Sequence, residues 1–122
     1  MQGIHLLTIA ELGSKILNRQ VSVLNTTRAF LSRIEALDKR TCAFITIMRD
    51  EALNASYQLD QEIAEGNYRG PLHGIPIGLK DIYHNAGIPT TACSKIYNNF
   101  VPDYDATTVA LMKQAGAIML GK

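Results

Sequence analysis

Gly70-Pro71-Leu72-His73-Gly74-Ile75-Pro76-Ile77-Gly78-Leu79-Lys80-Asp81 sets one lysine at the end of a short apolar run fenced by glycine and proline. The bulky apolar side chains of Ile75, Ile77 and Leu79, bounded by turn formers, predict a short buried strand. An ammonium is costly to strip of water, so lysine rarely enters such a place without a partner. Held there, it tends to shed its proton, and the neutral amine is a base. The plainer alternative is a solvated strand end, with Lys80 and Asp81 as ordinary surface charges. The run makes Lys80 the candidate chemical group.

Downstream, residues 85–105 form a long stretch punctuated by Gly87, Pro89, Thr90-Thr91 and Pro102. Stretches of that length without regular structure often carry function in compact domains. Thr90, Thr91, Cys93 and Ser94 could line a pocket, but hydroxyls in such loops more commonly cap their own backbone. Asp105 is a suitable N-cap for a helix over 106–115, with Val109 and Met112 facing inward and Gly116 at the position after the C-cap. Residues 117–120 then read as a buried strand. Helix, glycine and apolar strand make half of a parallel unit, so a sheet partner is required.

Upstream, Thr8-Ile9-Ala10-Glu11 has the spacing of a capping box and predicts a short helix to about Asn18. Ser22 is a second N-cap candidate. Val23, Thr27, Phe30, Ile34 and Leu37 follow at helical spacing as one buried stripe. Arg28, Arg33, Glu35 and Lys39 read as its solvated face. Residues 42–48, apolar apart from Thr46, predict a buried strand. Asp50 caps the next helix, whose stripe is Ala52, Ala55, Leu59 and Ile63 and which Gly66 ends. Residues 67–74 are loop, with Tyr68 and Arg69 at its rim. His73 is either a site group or, as is commoner, a loop histidine bonded to backbone.

The net charge of +1 and the lack of a basic run give no electrostatic reason to expect nucleic acid. At 122 residues the chain suits one modest α/β unit. Cys42 and Cys93 lack metal or redox spacing and read as reduced, partly buried thiols. The first 15 residues carry no charged segment followed by an apolar core, so no signal peptide is expected. No apolar run approaches bilayer length, and a cytoplasmic protein fits best.

The lysine stretch resembles the lysine motif of the amidase signature family, whose members hydrolyse amides with a Ser, cis-Ser, Lys triad. The likeness continues through Ala86-Gly87-Ile88-Pro89-Thr90-Thr91-Ala92-Cys93-Ser94, through Phe100-Val101-Pro102-Asp103-Tyr104-Asp105-Ala106-Thr107, and through Ala115-Gly116-Ala117-Ile118-Met119-Leu120-Gly121-Lys122. Phe30-Leu31-Ser32-Arg33-Ile34-Glu35 and Cys42-Ala43-Phe44-Ile45-Thr46 resemble the family's N-terminal helix and first strand. Cys93 stands where many members carry glycine. The resemblance implies an α/β fold: N-terminal helices over 1–40 and the start of a mixed β-sheet core over 41–122, together the N-terminal portion of a single amidase domain.

The resemblance also implies a role for Lys80, as the terminal base. It sets the family's nucleophilic and bridging serines in a glycine- and serine-rich segment beyond Lys122. Ser14, Ser22, Ser32, Ser56 and Ser94 lie in no such segment. A small-molecule amide is the implied substrate, with no cofactor, metal or membrane, no direct nucleic-acid contact, and association into homo-oligomers open. Alternatives are the amidase subunit of a tRNA-dependent amidotransferase, a non-catalytic remnant or interaction module, and a lysine Schiff-base enzyme, for which no cofactor cradle is found.

Overall fold

Local signals set most of the element boundaries. A computed structural model describes residues 3–122; Met1 and Gln2, which the leader reading includes, lie outside the described residues. After a 3-10 turn at Ile4–Leu6 comes helix α1, Ile9–Leu17, opened by the Thr8–Glu11 capping box with both reciprocal bonds made. Helix α2, Val23–Thr41, starts at Ser22, whose side chain accepts from the Asn25 N–H at 3.0 Å. Helix α3 spans Arg49–Ala64. Strand β1, Pro76–Gly78, helix α4, Thr107–Gln114, and strand β2, Ile118–Gly121, complete the chain. The two strands pair in parallel, as the helix–glycine–strand pattern requires.

β2 is the spine of the core. Ile118 and Leu120 pack with Leu12, Ile16, Val23, Leu31, Leu59 and Ile63 of the first three helices. Ala117 and Met119 pack with Met48, Leu79 and Val109. That alternation is the two-residue period of a strand covered on both faces. α2 and α3 are further joined by buried polar contacts. The Ser56 hydroxyl donates to Thr27 Oγ1 at 2.7 Å. Asp60 of α3 accepts from the N–H groups of Val23 at 2.7 Å and Leu24 at 2.9 Å, capping the neighbouring helix from its side. No helix among the described residues is long and apolar enough to cross a membrane.

Several expectations are corrected. Residues 42–48 are not a buried strand. They run beside β2 with one antiparallel bridge, Ile47 to Gly121, and Ile45 and Ile47 are exposed. Cys42, left-handed at φ 49°, ends α2, and Lys122 O accepts from both Ile45 and Thr46, so no regular ladder forms. β1 is shorter than the 75–79 run, with Ile77 half-buried and Gly78 exposed. Asp50 sits inside the first turn of α3, whose N-cap is Met48. Asp105 does not cap α4; its carboxylate accepts from the Ala86 N–H and from Lys113. The buried residues of α2 are Val23, Thr26, Thr27 and Leu31, with Phe30, Ile34 and Leu37 only half-buried. Both cysteines are free, as expected, but exposed rather than partly buried.

Candidate active site

β1 and β2 run the same way, so the residues that follow them leave the sheet at one edge. Lys80 stands just past β1 and Lys122 just past β2. An irregularity between Ile77 and Gly78 brings Gly78 opposite Gly121, and the Leu79 N–H donates to Gly121 O at 2.9 Å. Gly121 permits the crowding, since a Cβ there would meet Thr46 O and Phe44 Cδ1.

The two lysines then part company. Lys122 is sealed, its side chain without solvent contact, and its ammonium lies 3.3 Å from Asp81 Oδ1. It donates to Pro89 O at 3.2 Å and to the Thr90 hydroxyl. Asp81 is 7% exposed. Its Oδ2 accepts from the Thr91 N–H at 3.0 Å and the Thr91 hydroxyl at 2.5 Å. Its Oδ1 has the ammonium as its charged neighbour without hydrogen-bond geometry. Burial pushes the Asp81 carboxyl up, but the Thr91 bonds and the Lys122 ammonium outweigh it and hold the carboxyl below its ordinary range.

Lys80, the residue expected to be buried, is exposed. The run before it turns outward after Leu79, and Asp81 takes the inward position instead. Four ion pairs form among the described residues, and Lys80 is in none of them. Its backbone is nevertheless held: Leu79 is tied to β2, Asp81 O accepts from the Ala92 N–H at 2.8 Å, and Lys80 O accepts from the Tyr83 N–H at 3.2 Å. The result is a lysine side chain outside any ion pair on an anchored main chain.

The remaining candidates resolve as structure. His73 is fully buried; its Nδ1 accepts from the Arg69 N–H at 3.2 Å and its Nε2 lies 3.1 Å from Leu59 O. Arg69 pairs with Glu62. The Ser94 hydroxyl accepts from Ile96 N, and Thr91 Oγ1 accepts from Cys93 N. No group of three His, Cys, Asp or Glu side chains among the described residues is arranged for a metal. A cleft of about 430 Å³ between α3 and the 85–88 turn does not include Lys80.

The residue that sequence reasoning missed is Lys122. Its signal is the one used for Lys80, a glycine-bearing apolar run that ends in lysine. Asp81 reads from sequence only as a surface charge.

The sequence profile of the amidase family matches residues 25–122. The chain belongs to the amidase family. This amidase chain is 50% identical over 116 residues to a glutamyl-tRNA(Gln) amidotransferase subunit of Geobacter sulfurreducens, covering 95% of this chain and 24% of that protein. It is 41% identical over 122 residues to the subunit of the same name from Streptomyces coelicolor, again 24% of its length. Among solved amidases, the native peptide amidase of Stenotrophomonas maltophilia superposes with a TM-score of 0.88 at 39% identity, over 93% of this chain and 24% of that one. A fatty acid amide hydrolase gives 0.91 at 27% identity, over 98% and 21%. The chain thus spans about a quarter of the length of the relatives it matches, and its α/β fold is the corresponding part of theirs.

Proposed function

We propose that this chain supplies the lysine base of an amide-hydrolysing site of Ser-cisSer-Lys type, with Lys80 as the terminal base. Residues 1–122 are then the N-terminal portion of a single amidase domain, helical over 1–40 and α/β over 41–122. The observation that carries the reading is an exposed lysine, free of ion pairs, on a main chain tied at both flanks beside the carboxyl edge of a parallel strand pair. Ligands of open α/β sheets bind at that edge.

Amide hydrolysis needs a nucleophile at the carbonyl carbon, a base for the nucleophile's proton and an acid for the leaving nitrogen. A serine hydroxyl from outside these residues attacks. Its proton passes through a bridging serine to the neutral amine of Lys80, which then returns a proton to the departing nitrogen. The same outside segment covers Lys80 and excludes water, which strengthens every charge interaction at the site. The substrate is a small amide, no cofactor takes part, and the compartment is the cytoplasm.

The test grafts this chain in place of the matching quarter of the Geobacter amidotransferase subunit. Lys80→Ala and Lys80→Arg should both lower kcat by about 10²–10⁴-fold, the usual weight of a general base. Arginine keeps the cation but cannot give up its proton, so it separates base from charge. Near-normal turnover with arginine overturns the assignment. The 122-residue chain alone should release no more ammonia from simple amides than buffer does.

A second reading is favoured by the names of the relatives: the amidase subunit of a tRNA-dependent amidotransferase, with glutamine as its amide and a separate ammonia-accepting partner. A parallel graft into the Stenotrophomonas peptide amidase separates the two. Turnover restored only in the Geobacter protein favours the amidotransferase reading, and turnover restored only in the peptide amidase opposes it. Turnover in neither leaves a non-catalytic interaction module.

A further inference from the structure

Lys80 has a carboxylate as its immediate neighbour in sequence, yet that carboxylate faces inward and is matched by a second lysine. An unmatched anion at Asp81 would hold a proton on Lys80 by simple attraction. A base needs the opposite. The buried cation of Lys122 lies 3.3 Å from Asp81 Oδ1 and balances the charge there.

We infer that Lys122 is a positioning residue for the Lys80 amine: it neutralises and fixes Asp81, so that Lys80 is left without a counter-ion. The inference rests on the reading of Lys80 as the base and adds the residue that prepares it.

Lys80 is in none of the ion pairs among the described residues, and Asp81 is in one. Titratable groups on the segments around this edge are Tyr83 and His84 on the loop of Lys80, Cys93 and Lys95 past the Thr91 turn, and Cys42 on the segment beside β2. Lys113 and Asp105 pair with each other near α4. Among the described residues, Lys122 is the one cation in contact with the Asp81 carboxylate. The pair is closed by neutral groups alone, Thr90, Thr91 and the Pro89 carbonyl.

Competitive acylation of the 122-residue protein with acetic anhydride at mildly alkaline pH, read by peptide mass spectrometry, measures how much of each lysine is free amine. Lys113, held by Asp105, serves as the internal reference. Lys122→Met strands the Asp81 anion, so Lys80 labelling should fall roughly twofold at low salt, the factor for a unit charge about 10 Å away in water. Asp81→Asn strands the cation instead, so labelling should rise by a like factor. Lys122→Arg and the double variant Asp81→Asn/Lys122→Met should both return near the parent. All differences should shrink as salt is added.

A loss of packing around the pair would instead change Lys80 labelling in the same sense in both single variants, whereas the charges act on it with opposite signs. Unchanged Lys80 labelling in folded Lys122→Met, or a change of the same sign in both single variants, overturns the inference. If Lys122→Met fails to fold by circular dichroism, Asp81→Asn decides alone: raised labelling supports the inference and unchanged or lowered labelling overturns it. Loss of the fold in both overturns it also, since the pair is then structural alone. The labelling does not depend on turnover, so its failure is distinct from failure of Lys80→Arg to inactivate the grafted enzyme.

Discussion

Asp81 carries a prediction about acid. Its carboxyl is held below the ordinary range, because burial is outweighed by the Thr91 bonds and the Lys122 ammonium. Asp105 lies low in the same way, burial outweighed by its bond from Lys113, and Glu62 lies low through its bond from Arg69. A group depressed on folding stabilises the native state above its unfolded value, and that contribution is lost as pH falls through the folded value. The urea midpoint should therefore hold from neutrality to about pH 5 and drop below about pH 4. The double variant Asp81→Asn/Lys122→Met should flatten part of that drop. Equal acid slopes in parent and double variant would show that the Asp81 carboxyl is not depressed. At this scale the sequence was half legible. It singled out Lys80 from a run that ends in lysine, but burial is decided by which way the chain turns after Leu79. That turn depends on Thr91 and Lys122, ten and forty-one positions beyond Asp81.

Helix starts were legible wherever the cap is local. Thr8 with Glu11 and Ser22 with Asn25 are contacts three residues apart, and both stood in the sequence. Asp50 lies one residue inside its helix rather than before it, and Asp105 failed as a cap for the opposite reason. Asp105 has stronger partners in the Lys113 ammonium and the Ala86 N–H, and a carboxylate follows the strongest donors in reach. The N-terminus of α2 also draws on a distant group, Asp60 of α3, which no spacing rule could find. Asp60→Ala should cost about 1–2 kcal/mol, as loss of a good cap does, and more of that loss should fall on α2 than on α3. Urea denaturation and amide exchange at Val23 and Leu24 check both parts; unchanged exchange there would remove the cap from the account. The 42–48 misreading has a periodic cause. A continuous apolar run says nothing about which side is covered, and here one side lies open.

For the whole molecule, what was most legible was the αβ topology, because helix, Gly116 and apolar strand leave few alternatives. What was least legible was how much surface stays uncovered. A parallel sheet is ordinarily buried on both faces and several strands wide, yet this one has two strands among the described residues. Ile45, Ile47, Ile82, Ile96, Tyr97, Phe100, Val101 and Tyr104 are all exposed. Apolar surface on that scale seeks a cover. The isolated chain should form oligomers in light scattering, bind an apolar dye and melt broadly. A monodisperse monomer with a sharp melt and no dye binding would refute this.

The sealing of Lys122 has a consequence for the order of events during synthesis. Every side-chain partner of the Asp81 carboxylate lies between Thr91 and Lys122. Until Lys122 emerges from the ribosome, the carboxylate beside Lys80 has no cation to balance it and reason to stay in water. Once the ammonium is free of the tunnel, the loop can close inward. The nascent chain thus sets the main chain around Lys80 only after a definite length has been made.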